Sequence, residues 1–99
     1  MRAIHLVQLD TVRPALILTR EVALPAMRNV TVAPITSTIR GLATEVAVGP
    51  AHGLDQESVV SLDNVVTVAA RDIRALVGYL LDRQEADLTA AIHAAFDLE

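Results

Sequence analysis

The sequence predicts a mainly β domain, a small barrel-like antiparallel sheet covered by one terminal helix. Three observations carry that prediction. Short runs of Val, Ile and Leu recur between turn signals, as strands require. The chain is 53% hydrophobic but only 2% aromatic, so its core is aliphatic. Helical spacing of apolar residues is clear only near the C-terminus.

Taken in order, Ala3 to Leu9 alternates as a strand, with Ile4, Leu6 and Gln8 facing away from His5, Val7 and Leu9. Asp10 to Arg13 is a short connection. Pro14 opens a second strand, Ala15 to Thr19, since proline is tolerated at a strand's first residue. The two strands form a hairpin. Glu21 to Met27 contains Pro25 and reads as a loop or a single helical turn. Val30 to Ile35 and Ala43 to Val48 are the third and fourth strands.

Gly49-Pro50 and Gly53 mark a turn. Ser58 to Leu62 and Val65 to Ala69 then make a fifth strand, bent at Asp63-Asn64. Arg71 to Leu81 reads as a helical turn followed by a short strand around Leu76 to Tyr79, with Gly78 arguing against a continuous helix. Asp82 and Glu85 stand at the spacing of a capping box. Leu88, Ile92 and Ala95 or Phe96 then recur on one face, an amphipathic helix for the sheet. Ninety-nine residues without a repeat or linker make one domain, 1–99.

Composition narrows the functions. Without cysteine there is no disulfide framework and no thiolate chemistry. No apolar run reaches the roughly 18 residues needed to span a bilayer, and the N-terminus lacks a signal-peptide pattern, so a cytoplasmic protein is expected. The net charge of −4 is unevenly placed: residues 1–50 carry five Arg against three acids, and residues 51–99 three Arg against nine. All cations are Arg, whose planar fork suits phosphate. An anion site in the first half and an uneven solvated surface fit this charge equally.

The stretch that invites chemistry is Asn29 to Val46. Its two β-rich runs flank Thr36, Ser37 and Thr38, with Arg40 and Gly41 beside them. Hydroxyls and a guanidinium can donate to anionic oxygens, although Ser/Thr clusters between strands are ordinarily loops. Arg13 precedes a proline, so its backbone is extended and stiff, yet by pattern alone it reads as an exposed loop residue. His5, His52 and His93 show no metal-ligand spacing, and no nucleophile elbow or phosphate loop is present. No cofactor is expected.

Three motifs in order change the reading. Arg13 to Thr19 is RPALILT, Val32 to Ser37 is VAPITS, and Ser58 to Thr67 is SVVSLDNVVT, followed by an amphipathic helix ending in Phe96-Asp97-Leu98. Together they resemble the MazF/PemK family of toxins from toxin–antitoxin pairs, and its shorter actinobacterial-type branch. The resemblance implies an SH3-like antiparallel β-barrel with helices. It also implies a homodimeric, metal-independent endoribonuclease acting on single-stranded RNA and restrained by an antitoxin.

By that resemblance, the Arg of R-P and the Thr of P-x-T form the active-site pair, here Arg13 and Thr36. Asp10, Ser37, Thr38, Arg40 and Asn64 become the RNA-contacting candidates. The chain departs from the family in a short first loop, Asp10-Thr11-Val12, with no basic residue just before R-P. That bears on which RNA sequence is cut. The same barrel also serves toxins that poison DNA gyrase by protein contact, so a non-enzymatic binding module is the competing expectation.

Overall fold

The computed structural model describes residues 2–98. Seven strands precede one helix: β1 (Ala3–Gln8), β2 (Val12–Ile17), β3 (Asn29–Thr36), β4 (Glu45–Val48), β5 (Ser58–Ser61), β6 (Val66–Ala69), β7 (Ile73–Tyr79) and α1 (Glu85–Ala95). Their order is β4-β5-β3-β2-β1-β7, all antiparallel, with β6 also on β3. No described pairing joins β4 to β7, so the curled sheet is a half-barrel.

The central strand explains the curl. β3 pairs Asn29–Val32 with β6 and Ile35–Thr36 with β5 along one edge. One bent segment supplies both partners, because a 3₁₀ turn at Leu62–Asn64 divides β5 from β6. The expected bend is therefore a full break, driven by burial of Leu62 in the core.

β1, β2 and β3 are buried on both faces. Ile4, Leu16, Ala33 and Ile35 point into one cluster, with Leu88 and Ala91 of α1. Val7, Ala15, Ile17, Val30 and Val32 form a second, against which Leu24 packs from the 3₁₀ turn Glu21–Ala26. Two-sided burial is why Ala15-Leu16-Ile17 is a continuous apolar run rather than an alternation. Fully burying each Leu or Ile contributes about 1.5–3 kcal/mol.

The open side is bridged by polar contacts. Gly49 donates its N–H to His52 Nδ1 at 3.0 Å, so Nε2 carries the proton and donates to Gln84 Oε1 at 2.5 Å. The Gln84 amide in turn donates to the Ala47 carbonyl at 2.8 Å. β4, the 3₁₀ turn Pro50–His52 and the start of the helical segment are thereby tied together.

Two local expectations are corrected. Pro14 is the third residue of β2, opposite Leu6, because the hairpin turn is only Leu9-Asp10-Thr11. Asp82 and Glu85 do not form the capping box. The segment begins with a 3₁₀ turn, Asp82–Gln84, and it is Gln84 Oε1 that accepts the Leu81 N–H at 3.4 Å. Glu85 is drawn instead to Arg2, with Nε and Nη2 each 3.0 Å from its Oε1. Leu88, Ala91, Ile92 and Ala95 cover the sheet, while Phe96 is exposed.

Candidate functional site

β2 and β3 position the Arg13/Thr36 pair. Their register runs Ala15↔Pro34, Leu16↔Ala33, Ile17↔Val32. Continued two residues, it sets Arg13 opposite Thr36. The described ladder ends at Ala15↔Pro34, and Pro14, next along β2, has no N–H to donate. The proline of R-P thus ends the pairing just before the two polar side chains.

Arg13 and Thr36 line both of two adjoining concavities. The smaller, about 400 Å³, is also lined by Pro14, Ser37, Leu54, Asp55, Gln56 and Ser58. The larger, about 680 Å³, brings Asp10, Thr38, Arg40 and Asn64 to the pair, along with Glu45 and Asp63. The pair sits where the two meet.

Of the residues expected from the sequence, only Ser37 is confined to the smaller concavity. Thr36 is the last residue of β3 rather than part of a loop, whereas Ser37 to Ala43 are exposed. Sequence reasoning missed Glu45, Asp63, Asp55 and Gln56, which reach the concavities through turns and cross-strand register. Glu45 lies opposite Ser61, a relationship that no short motif encodes.

Thr36 is preset as a donor. Its Oγ1 accepts the backbone N–H of Thr38 at 3.1 Å, leaving the hydroxyl proton to a ligand. Arg13 has one ion-pair partner among the described residues, Asp10, with Nη1 to Oδ1 at 3.8 Å. That separation is too long for a formed hydrogen bond, so the guanidinium keeps its donors.

The groove is not a uniformly basic surface. In the larger concavity Arg13 and Arg40 face Asp10, Glu45 and Asp63. All three carboxylates are used within the fold, Asp10 by accepting the Thr11 N–H at 2.9 Å. Glu45 accepts backbone N–H bonds from Arg40, Gly41 and Leu42, and Asp63 accepts the Thr44 hydroxyl at 2.7 Å. Asn64 donates to Ser61 Oγ at 2.8 Å and forms part of the rim. Among the described residues no three His, Asp or Glu side chains converge as a metal site.

Comparison with known proteins agrees over the whole chain. A family model described as a PemK-like, MazF-like toxin of a type II toxin–antitoxin system matches residues 4–96. Endoribonuclease MazF3 of Mycobacterium tuberculosis is 59% identical over 99 residues, covering 100% of this chain and 96% of that protein. Probable endoribonuclease MazF5 of the same organism is 37% identical over 86 residues, or 86% of this chain and 79% of that one. The structure of M. tuberculosis toxin MazF-mt6 superimposes with a TM-score of 0.98 at 58% identity, covering 99% of each chain.

Proposed function

We infer that this chain, which belongs to the PemK-like, MazF-like family of type II toxins, is an endoribonuclease toxin. One observation carries the assignment of its site. Arg13 and Thr36, from adjacent strands, line both of two adjoining concavities with their donors unspent.

Single-stranded RNA supplies its own nucleophile. The 2′-oxygen loses its proton and attacks the adjacent phosphorus, the bond to the 5′-oxygen breaks, and that oxygen gains a proton. A 2′,3′-cyclic phosphate and a 5′-hydroxyl remain. The protein's task is to orient the strand and to neutralise the charge that builds on the non-bridging oxygens. Arg13 supplies a charge-assisted fork and Thr36 an O–H donor to that phosphorane-like centre. No step in this scheme needs a metal.

Asp10, Ser37, Thr38, Arg40 and Asn64 would contact the strand on either side, reading unstacked bases by their edges. The partners are single-stranded RNA, a cognate antitoxin and a second copy of the chain, in the cytoplasm. No described helix is long and apolar enough to cross a membrane.

The deciding experiment is cleavage of single-stranded RNA in EDTA by wild type, Arg13→Ala and Thr36→Ala, with product ends mapped. Cutting at a recurring short sequence, leaving 5′-hydroxyl ends and lost in both variants, is expected. A folded wild type that leaves RNA intact, or toxicity retained by Arg13→Ala, would favour the gyrase-poison type of protein-binding toxin.

A further inference from the structure

Glu45 is the groove carboxylate that accepts from three successive backbone N–H groups. Its Oε1 takes the N–H of Gly41 at 2.9 Å, of Leu42 at 3.1 Å and of Arg40 at 3.3 Å, and Oε2 lies 3.4 Å from the Arg40 nitrogen. The Glu45 N–H closes the turn by donating to the Leu42 carbonyl at 3.1 Å. Gly41, at φ +73°, lets three successive N–H groups converge. Such a convergence is an anion nest, filled here by the chain's own carboxylate.

The turn it holds has little other support. Residues 37–43 are exposed. Arg40, on that turn, lines the same concavity as Arg13 and Thr36, and its guanidinium makes no ion pair within 4 Å among the described residues. A cation on an untethered loop would lose entropy on meeting its ligand, whereas a clasped one is already placed.

We propose that Glu45 is a positioning residue for substrate binding. By clasping Arg40, Gly41 and Leu42 it presents the Arg40 guanidinium to an RNA phosphate beside the one that is cut. This rests on the nuclease reading and deepens it. Glu45 does not touch the reacting atoms, so it governs KM and not kcat.

The test is KM and kcat for one single-stranded RNA with wild type, E45A, E45Q, R40A and the double variant E45A/R40A. E45A is expected to raise KM on the order of tenfold, the size of one charge-assisted contact, with kcat within about twofold. E45Q keeps an acceptor at Oε1 and stays within about threefold of wild type in KM. Because Glu45 acts through Arg40, the double variant matches R40A alone. Hydrogen exchange at the Arg40, Gly41 and Leu42 amides speeds up in E45A.

An unchanged KM in E45A, or a double variant whose effect is the product of the singles, overturns the proposal. If E45A unfolds, the pair E45Q and E45Q/R40A decides by the same comparison, since a KM increase that persists without Arg40 overturns it. A wild type that binds no RNA overturns the nuclease reading together with this one. A wild type that cuts RNA beside an equally proficient E45A overturns only this one.

Discussion

Gly78 of β7 passes so close to His52 that a Cβ built on it would stand 2.0 Å from the His52 carbonyl oxygen. The approach is mutual: a Cβ on Gly53, at φ +88°, would stand 2.1 Å from the Val77 carbonyl oxygen. Here the last strand is pressed against the 3₁₀ turn that follows β4, across the side of the sheet that no described strand pairing closes. Gly53 and Val77 also line the smaller concavity, so this contact builds a wall of the groove.

Gly78→Ala must push backbone against backbone, with no flexible side chain to yield. A loss of at least about 2 kcal/mol is expected, within the range of overpacked cores. Thermal unfolding of the variant checks it. A melting temperature equal to that of wild type would mean that β7 and the turn can separate freely.

The His52–Gln84 link should stabilise the same closure from the polar side. Gln84→Ala leaves His52 Nε2 without its acceptor and the Ala47 carbonyl without its donor. Since His52 is buried, the cost expected is about 1–3 kcal/mol. Urea titration measures it, and hydrogen exchange should localise the opening to β4 and the Pro50–His52 turn.

Thr36 tests the chemistry more sharply than a truncation does. Thr36→Ser keeps the hydroxyl, and single-turnover cleavage is expected within about tenfold of wild type. Thr36→Val keeps the shape and removes the donor, with a loss of about 10²-fold or more if that O–H faces the developing charge. Equal rates for the two variants would remove Thr36 from the reaction.

Binding should weaken with salt in proportion to the phosphates engaged. On a 2′-O-methyl RNA that cannot be cut, log K should fall against log salt with a slope of about −0.7 for each phosphate neutralised. Arg13→Ala and Arg40→Ala are each expected to flatten that slope by about 0.7. An unchanged slope in Arg40→Ala would place its guanidinium off the strand. Arg13→Ala should melt as wild type does, because an exposed 3.8 Å ion pair is worth about 0–1 kcal/mol.

What the sequence by itself determined is the part governed by neighbours along the chain. Apolar runs between turn residues marked the strands, and 3.6-residue spacing marked α1. Arg13 and Thr36 stood out as a pair only through the short R-P and P-x-T motifs of the family resemblance, since by pattern alone Arg13 reads as an exposed loop residue.

What only the tertiary structure decided is whatever depends on groups far apart in sequence. Glu45 read as an ordinary strand residue until the β4–β5 register and the Gly41 turn set its carboxylate against three N–H groups and beside Arg13 and Thr36. His52 read as a turn residue, and its buried ring is bonded to Gln84, 32 positions away. Gly78 read as a residue of a short strand that argued against a continuous helix, whereas its requirement is set by the His52 carbonyl. Periodicity reports which face of a segment is apolar. It carries no information on which carbonyl or amide will arrive opposite that face, and in this protein those arrivals close the half-barrel and shape the groove.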